Sequence, residues 1–410
     1  MAFSGENPAR PGAVTSYDAW LTWKHRAQFR ERAMRASSPD QSRLNAAALN
    51  WGDQATLESS VALVGPVATN IVALFYHELF TRLPGLRQLF PADLGVQKDR
   101  LLAALLALVA GGTEPHRLVR VLEELGRDHR KFGVRDAQYR AVGTALLAAL
   151  SHFSGPAWTP AVERAWRARY EAAATVMIRA AADASDQPPF WYGTVTAHEP
   201  CGRDVAILRV RPNHPYPYVA GQYASLESAR LPRVWRPYSM ATPPRADQQL
   251  EFHVRAIGHG GLSDTLVASA PGDLVRIGPP EGSVTMRRDA GRPLLFVAGG
   301  TGWSTVKALL GACVRESWLN SASRLLVTCR PGEPYDPGFT RFVHDLPAIS
   351  TTLVHSSDEL RAELAPNRLL RPDVAAFLSG PAGLVETASR LLNTAGVPHT
   401  NIHHDDLLPA

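Results

Sequence analysis

Arg236-Pro237-Tyr238-Ser239, followed downstream by Leu294-Leu295-Phe296-Val297-Ala298-Gly299-Gly300-Thr301-Gly302, pairs two motifs of the kind that hold flat cofactors and their phosphates. An Arg-x-Tyr-Ser strand offers a guanidinium for a pyrophosphate, a phenol ring to stack on a flat heterocycle and a hydroxyl to reach a ring nitrogen, a set that suits a flavin. The second stretch is an apolar strand entering a glycine-rich turn that opens a helix, where backbone N–H groups and the helix dipole can meet the phosphates of a second dinucleotide. Either motif alone is weak. In this order they imply that the chain moves electrons.

Working outward, residues 190–289 read as short strands with frequent Pro and Gly, among them Asp204–Val210 and Leu250–Val254, and predict a small antiparallel barrel. From 290 to 410, apolar strands at 294–298, 324–328, 350–354 and 375–379 alternate with helical stretches, which predicts a parallel sheet with crossovers. Asp183-Ala184-Ser185-Asp186-Gln187-Pro188-Pro189 reads as a linker before the barrel. Residues 57–182 are helical in period almost throughout: Val64, Val67, Ile71 and Leu74 make one stripe, Leu118, Val121, Leu122, Leu125 and His129 another, and Val162, Trp166, Tyr170, Ala173 and Met177 a third. Residues 1–56 form an extension whose Trp20, Leu21, Trp23 and Phe29, interleaved with Lys24, Arg26, Arg30, Arg32 and Arg35, read as one amphipathic basic helix. It is expected to pack on the following domain or to meet a partner or a membrane surface. The fold class is thus multidomain: an all-α domain, an antiparallel β-barrel and an α/β parallel-sheet domain.

With 410 residues, each domain is long enough to bury a core. The net charge of +5 comes without a long basic run, so nucleic acid is not an expected partner. Cys201, Cys313 and Cys329 have no metal-ligand spacing and are odd in number, which points to a reducing, cytoplasmic setting. No apolar run of about 18 or more residues is expected to span a membrane.

At the level of families, residues 190–410 resemble a ferredoxin-reductase-type module, a flavin barrel followed by a nicotinamide-dinucleotide domain. Gly221-Gln222-Tyr223 precedes Arg236–Ser239 as in that family, and Gly260-Gly261-Leu262-Ser263 follows where it wraps the flavin pyrophosphate. The resemblance implies that Arg236 neutralises the pyrophosphate, Tyr238 stacks on the isoalloxazine, Ser239 hydrogen-bonds its reactive edge and Tyr223 contacts FAD. It also implies that Gly260, Gly261 and Ser263 line the pyrophosphate. Gly299, Gly300, Thr301 and Gly302 would cradle the phosphates of NADPH or NADH, and Leu378-Ser379-Gly380-Pro381 would sit near the nicotinamide, Gly380 and Pro381 included. Many relatives have Cys where this chain has Ser379, and an aromatic where its end reads His403-His404-Asp405-Asp406-Leu407-Leu408, which is expected to be a solvated tail. Arg330, after the second strand, is placed to meet a 2′-phosphate or to form a surface salt bridge.

Residues 57–182 resemble a globin, specifically the haem domain of flavohaemoglobins. Phe75-Tyr76, Leu89-Phe90-Pro91, Gly95-Val96-Gln97-Lys98 and Asp128-His129-Arg130-Lys131-Phe132 carry the resemblance. It implies haem b with His129 as the iron ligand, Phe90 and Leu101 packing on the porphyrin, Tyr76 and Gln97 hydrogen-bonding bound O2, and Tyr139 beside the proximal imidazole. Asp183 stands nearest to the glutamate that flavohaemoglobins keep near the end of the last globin helix.

Together the two resemblances imply a path from NAD(P)H through FAD to a haem that binds O2, and nitric oxide dioxygenase as the activity, with NO converted to nitrate. The alternatives are a divergent flavohaem oxidoreductase with another substrate and a haem-based gas or redox sensor that signals through residues 1–56.

Overall fold

The computed structural model describes residues 49–111, 115–185, 187–258, 260–286, 292–330, 334–346, 349–365 and 373–405. The basic helix expected around Trp20–Arg35 lies outside them. The described residues form two compact units: one takes residues 49–124 together with Arg135–Arg179, the other takes Leu125–Val134 and residues 180–405.

The helical unit is built from α1 (Gln54–Val64), α2 (Ala68–Arg82), α3 (Gly95–Ala110), most of α4 (Pro115–His129), α5 (Asp136–Ser154) and most of α6 (Pro160–Asp183). Asp53 caps α1 by accepting from the Thr56 N–H, which satisfies one of the donors a helix start leaves over. On α2 the buried positions Ile71, Val72, Phe75, Tyr76 and Leu79 recur at helical spacing, so one face enters the core with Leu57, Leu146, Leu150 and Trp166. Arg169 is buried with them and spends its donors on the carbonyls of Trp51 (2.6 Å) and Leu108 (2.6 Å) and on Gln54 Oε1 (2.7 Å). A buried guanidinium is stable only with its N–H groups so engaged.

The run Gln54–Arg82 is long and apolar enough, by length and composition, to cross a membrane. Its apolarity has another use here: the turn Gly65–Val67 interrupts it, and Leu57, Val64, Ile71, Phe75 and Leu79 are core residues of the helical unit.

In the second unit, β1 (Trp191–Cys201), β2 (Val205–Pro212), β3 (Tyr223–Ser228), β4 (Leu231–Ser239), β5 (Leu250–Arg255) and β6 (Leu274–Glu281) form an antiparallel sheet in the order β4-β3-β6-β1-β2-β5. A bridge between Met240 and Phe252 joins its two edges, closing a barrel around Val195, Leu208, Leu226, Phe252 and Ile277. Closure leaves no edge to pair elsewhere. The short α7 (Leu262–Val267) packs Leu262 and Leu266 into that core.

Next comes a parallel sheet in the order β11-β10-β7-β8-β9, from β7 (Leu294–Gly299), β8 (Ser323–Thr328), β9 (Ile349–Val354), β10 (Ala375–Ser379) and β11 (Ile402–His403). Every residue of β7 is buried, because helices cover both faces of a parallel sheet: α8 (Trp303–Arg315) lies in one layer and α11 (Ala382–Thr394) in the other, with α9 (Phe339–His344) and α10 (Ser357–Glu363) completing the crossovers. The chain proceeds from β7 to β8 and β9 on one side and returns to β10 on the other. That reversal puts a crevice at the carboxyl ends of β7 and β10.

Candidate active site

Within the helical unit, Tyr76 is buried and its hydroxyl donates to the Gln97 backbone carbonyl at 3.2 Å. Its ring lies among Phe75 (5.0 Å), Phe80 (5.7 Å) and Phe90 (5.7 Å), and Phe80 and Phe90 meet edge-on at 5.3 Å. Burial raises the phenol pKa far above its ordinary value, so Tyr76 stays a neutral donor. Leu101 packs against the same core. Such a cluster, flat and apolar with one hydroxyl, can hold a planar hydrophobic ring and offer a hydrogen bond to a small ligand. Tyr139 is held by its backbone, whose carbonyl accepts from the Tyr170 hydroxyl at 2.5 Å, and burial with the charge of Asp136 pushes its own phenol up to about 12.

His129 closes α4, and its Nδ1 sits 2.7 Å from the Leu125 carbonyl. Donation to that oxygen selects the tautomer that leaves the Nε2 lone pair free, the form an iron ligand needs; burial lowers the imidazole pKa and favours that neutral state. Taken separately, the apolar Tyr76 cluster and the His129 imidazole have the chemistry of groups that contact a haem. The segment that carries His129 is fastened to the barrel: Arg130 donates to the Gln187 carbonyl (2.6 Å), Phe132 meets Trp235 at 6.4 Å, and Lys131 lies 5.0 Å over the Trp235 ring while pairing with Asp128. Trp235 immediately precedes Arg236.

The Arg-x-Tyr-Ser motif forms the end of β4, where Tyr238 pairs with Ala224 and Ser239 with Tyr223. The structure therefore brings Tyr223 beside the motif. Gly221, in the left-handed region at φ +93°, admits no side chain, since a Cβ there would meet the Val284 carbonyl oxygen at 1.9 Å. Burial raises the Tyr238 phenol well above its ordinary value, although the Arg236 charge opposes this. In the Gly260-Gly261-Leu262-Ser263 loop, Asp264 accepts from the N–H groups of Gly258 (3.2 Å) and Gly261 (3.1 Å), and Ser263 Oγ accepts from Ile257 (3.3 Å). Asp264 was not foreseen; its place three residues after a glycine at a helix start is the signal that could have found it.

Gly299–Gly302 ends β7 and turns into α8, whose first turn has no side-chain cap. A Cβ on Gly302 would lie 2.3 Å from the Ser379 carbonyl oxygen, so the turn and the Ser379-Gly380-Pro381 loop are in backbone contact at the crevice. Arg330 is exposed after β8 and has no ion pair among the described residues.

Two clusters join the barrel to the parallel-sheet domain, and neither is visible as a motif. Thr305, in the first turn of α8, donates to Ser239 Oγ at 2.9 Å and accepts from Ser379 Oγ at 3.1 Å. Lys307, two residues further along α8, reaches Glu251 Oε1 on β5 (3.0 Å) and Asp336 Oδ2 (2.9 Å). Trp303 also donates to Asp336 (2.8 Å), and His253 joins Glu251 (3.2 Å) to the Tyr335 hydroxyl (2.6 Å). Burial pushes the Glu251 pKa up, yet the His253 hydrogen bond and the Lys307 charge outweigh it and hold the carboxyl far below its ordinary value. Burial likewise opposes the Asp336 and Lys307 charges, but their attraction wins: Asp336 is lowered and Lys307 raised.

The expected solvated tail is corrected as far as Asp405. Ile402 and His403 add a strand beside β10, the His403 ring stacks on Phe377 at 4.9 Å, and Asp405 accepts from the Ser283 N–H at 3.3 Å. An apolar strand partner and a free N–H were available to it. Asp406 and the residues after it lie outside the described part of the chain. Among the described residues no group of His, Cys, Asp and Glu forms a metal cluster.

Residues 73–177 match the family described as Globin, and residues 193–286 match the family described as Oxidoreductase FAD-binding domain. A flavohemoprotein of Bordetella pertussis is 27% identical over 368 residues, covering 80% of this chain and 91% of its own length. The crystal structure of a flavohemoglobin from Malassezia yamatoensis with bound FAD and heme has a TM-score of 0.71 at 17% identity, over 86% of this chain and 97% of that one, and shows the same fold. The chain belongs to the flavohaemoglobin family. This flavohaemoglobin is an oxidoreductase that joins a haem-binding globin to an FAD-binding reductase module. Its reductase part is also 30% identical, over 233 residues covering 53% of this chain and 69% of the relative, to the ferredoxin–NAD(P)(+) reductase component of a naphthalene 1,2-dioxygenase/salicylate 5-hydroxylase system of a Ralstonia species.

Proposed function

We propose that this flavohaemoglobin is an NAD(P)H-dependent nitric oxide dioxygenase, in which electrons pass from NAD(P)H to FAD and on to a haem b, and NO is converted with O2 to nitrate. When bound, FAD turns a two-electron hydride into single electrons and the haem supplies the iron that takes them. The observation that carries the reading is the fastening of the His129 segment, through Lys131 and Phe132, onto Trp235 at the start of the Arg236–Ser239 motif.

The chain's own residues divide the work. His129 presents Nε2 to iron while Leu125 holds Nδ1. Tyr76, neutral because it is buried, donates to an oxygen ligand, and Gln97 assists it. Phe90 and Leu101 pack on the porphyrin, and Tyr139 stands on the proximal side. Arg236, with Gly260, Gly261 and Ser263, takes the FAD pyrophosphate; Tyr238 and Tyr223 flank the flavin, and Ser239 meets its reactive edge. Gly299, Gly300, Thr301 and Gly302 take the nicotinamide cofactor's phosphates on backbone N–H groups, Gly380 and Pro381 line the nicotinamide, and Arg330, without an ion pair among the described residues, meets the 2′-phosphate where the cofactor is NADPH. The domain limits that go with this division are 1–56, 57–182, 190–289 and 290–410, with 183–189 as linker.

Stopped flow tests the activity. The protein is reduced anaerobically with NADPH, mixed with O2, and pulsed with NO; rapid loss of the oxygenated spectrum with nitrate formed is the expected result. Persistence of that spectrum through the pulse rejects the dioxygenase reading and leaves a flavohaem oxidoreductase with another acceptor, or a sensor.

A further inference from the structure

We propose that Thr305 is a positioning residue for hydride transfer, its hydroxyl linking Ser239 and Ser379 into one hydrogen-bonded chain across the gap between nicotinamide and flavin. The proposal rests on the reading above that FAD sits on Arg236–Ser239 and the nicotinamide cofactor on Gly299–Gly302.

The three hydroxyls come from three elements distant in sequence. Ser239 ends β4, Thr305 lies in the first turn of α8, and Ser379 ends β10, with spacings of 2.9 Å and 3.1 Å between their oxygens. Thr305 is 2% exposed, and its backbone is set by the helix, so its hydroxyl has a fixed address. Ser239 and Ser379 are held by strand pairing to Tyr223 and Ala298. Among the described residues none of the three shows a competing side-chain partner.

A hydroxyl is one donor and two acceptor sites, so a row of three can run in either direction. In one direction Ser379 donates to Thr305 and Thr305 to Ser239, which leaves the Ser239 proton free to point at a ring nitrogen that accepts. In the other, Ser239 accepts from that nitrogen once it carries hydrogen, and passes its own proton to Thr305 as a donor bond. In hydride transfer a nicotinamide C–H bond breaks and a flavin N–H bond forms, two electrons travel with the hydrogen, the nicotinamide is oxidised and the flavin reduced. The hydroxyls give up no electrons and no net proton; they reorient. A thiol at 379 would be a weak donor and acceptor. Serine at 379 and threonine at 305 together are what let the row close in this chain.

The test uses the full-length holoprotein, as wild type and as Thr305→Val, Thr305→Ser and Ser379→Ala, with NADPH and then NADH as the probes under anaerobic stopped flow. Valine matches threonine in shape and removes only the hydroxyl. Flavin reduction at saturating NADPH is expected to slow about tenfold in Thr305→Val, the scale of one lost hydrogen bond in a positioned site, with half-saturation, flavin content and haem content unchanged. The flavin midpoint potential should move in Thr305→Val and return in Thr305→Ser together with the rate. Ser379→Ala, which cuts the row at its other end without touching α8, should also slow reduction. A wild-type rate in flavin-loaded Thr305→Val or in Ser379→Ala, or a serine variant as slow as the valine one, overturns the proposal alone. A wild-type protein whose flavin is absent or is not bleached by either nucleotide overturns the underlying reading with it.

Discussion

The surroundings of Tyr76 and those of Thr305 and Lys307 are built on opposite principles. Around Tyr76 four aromatic rings meet at 5.0–5.7 Å and a single hydroxyl makes one bond to a backbone carbonyl. Around Thr305 and Lys307, buried hydroxyls, carboxylates and a cation are satisfied almost wholly by one another. The first region is held by shape, so it can receive a large flat group and lose one polar atom at modest cost. The second is held by reciprocal bonds, where removal of one member strands the rest. A cofactor that must sit in a dry pocket and a reaction that needs aligned donors and acceptors call for these two constructions respectively.

The largest expected effect breaks the comparison on the side held by shape. If packing contributes the pocket and His129 alone the metal bond, His129→Ala should lose essentially all its haem while keeping full flavin content, read from the absorption spectrum of the purified protein. Equal loss of both cofactors would show that the two regions are not separate in what they hold. Next is the side held by bonds: Lys307→Met leaves Glu251 and Asp336 buried without their cation and should destabilise the reductase unit by about 3–5 kcal/mol, measured by urea unfolding followed on flavin release. Tyr76→Phe keeps the aromatic cluster and removes the hydroxyl. It should speed O2 dissociation about tenfold, near 1.4 kcal/mol, with little change in unfolding midpoint.

The smallest effect is in pH. Glu251 and Asp336 have folded pKa values below their ordinary 4.5 and 3.8, so the stability they contribute is complete above those values and fades as pH falls through them. Lys307 is raised above 10.5, so its contribution is complete below that value and fades as pH rises past it. Urea midpoints of the reductase unit should therefore be flat with respect to this cluster between about pH 5 and about pH 10 and fall on the acid side. Replacing Lys307 should flatten the acid limb. An acid limb of the same depth in Lys307→Met would place its origin elsewhere.

What could be read in the sequence follows from how local each signal is. The β7–Gly299–Gly302–α8 run is legible because a strand buried on both faces must be apolar and a turn in backbone contact with Ser379 must be glycine at 302. The strands starting at Leu294, Ser323 and Ala375 stand out for the same reason. Thr305 and Lys307 were hidden because their partners Ser239, Ser379, Glu251 and Asp336 arrive from distant segments, and a Thr or Lys in a helix has no local signature. Glu251 and His253 were hidden too: they alternate with Leu250, Phe252 and Val254 as on a half-exposed strand, yet both are buried. The strand Ile402–His403 was missed because two residues carry no period, and its place depends on β10 offering a free edge. Gln54–Arg82 shows the converse: apolarity alone does not say whether a helix meets lipid or a protein core.

On the proposed function, one chain delivers electrons from a nicotinamide through FAD to a haem on His129. Anaerobic titration of the purified holoprotein with NADPH, followed by its absorption spectrum, tests it most directly. The flavin band is expected to bleach and the haem Soret band to shift to the ferrous position in the same titration. A flavin that bleaches while the haem spectrum stays ferric would contradict it.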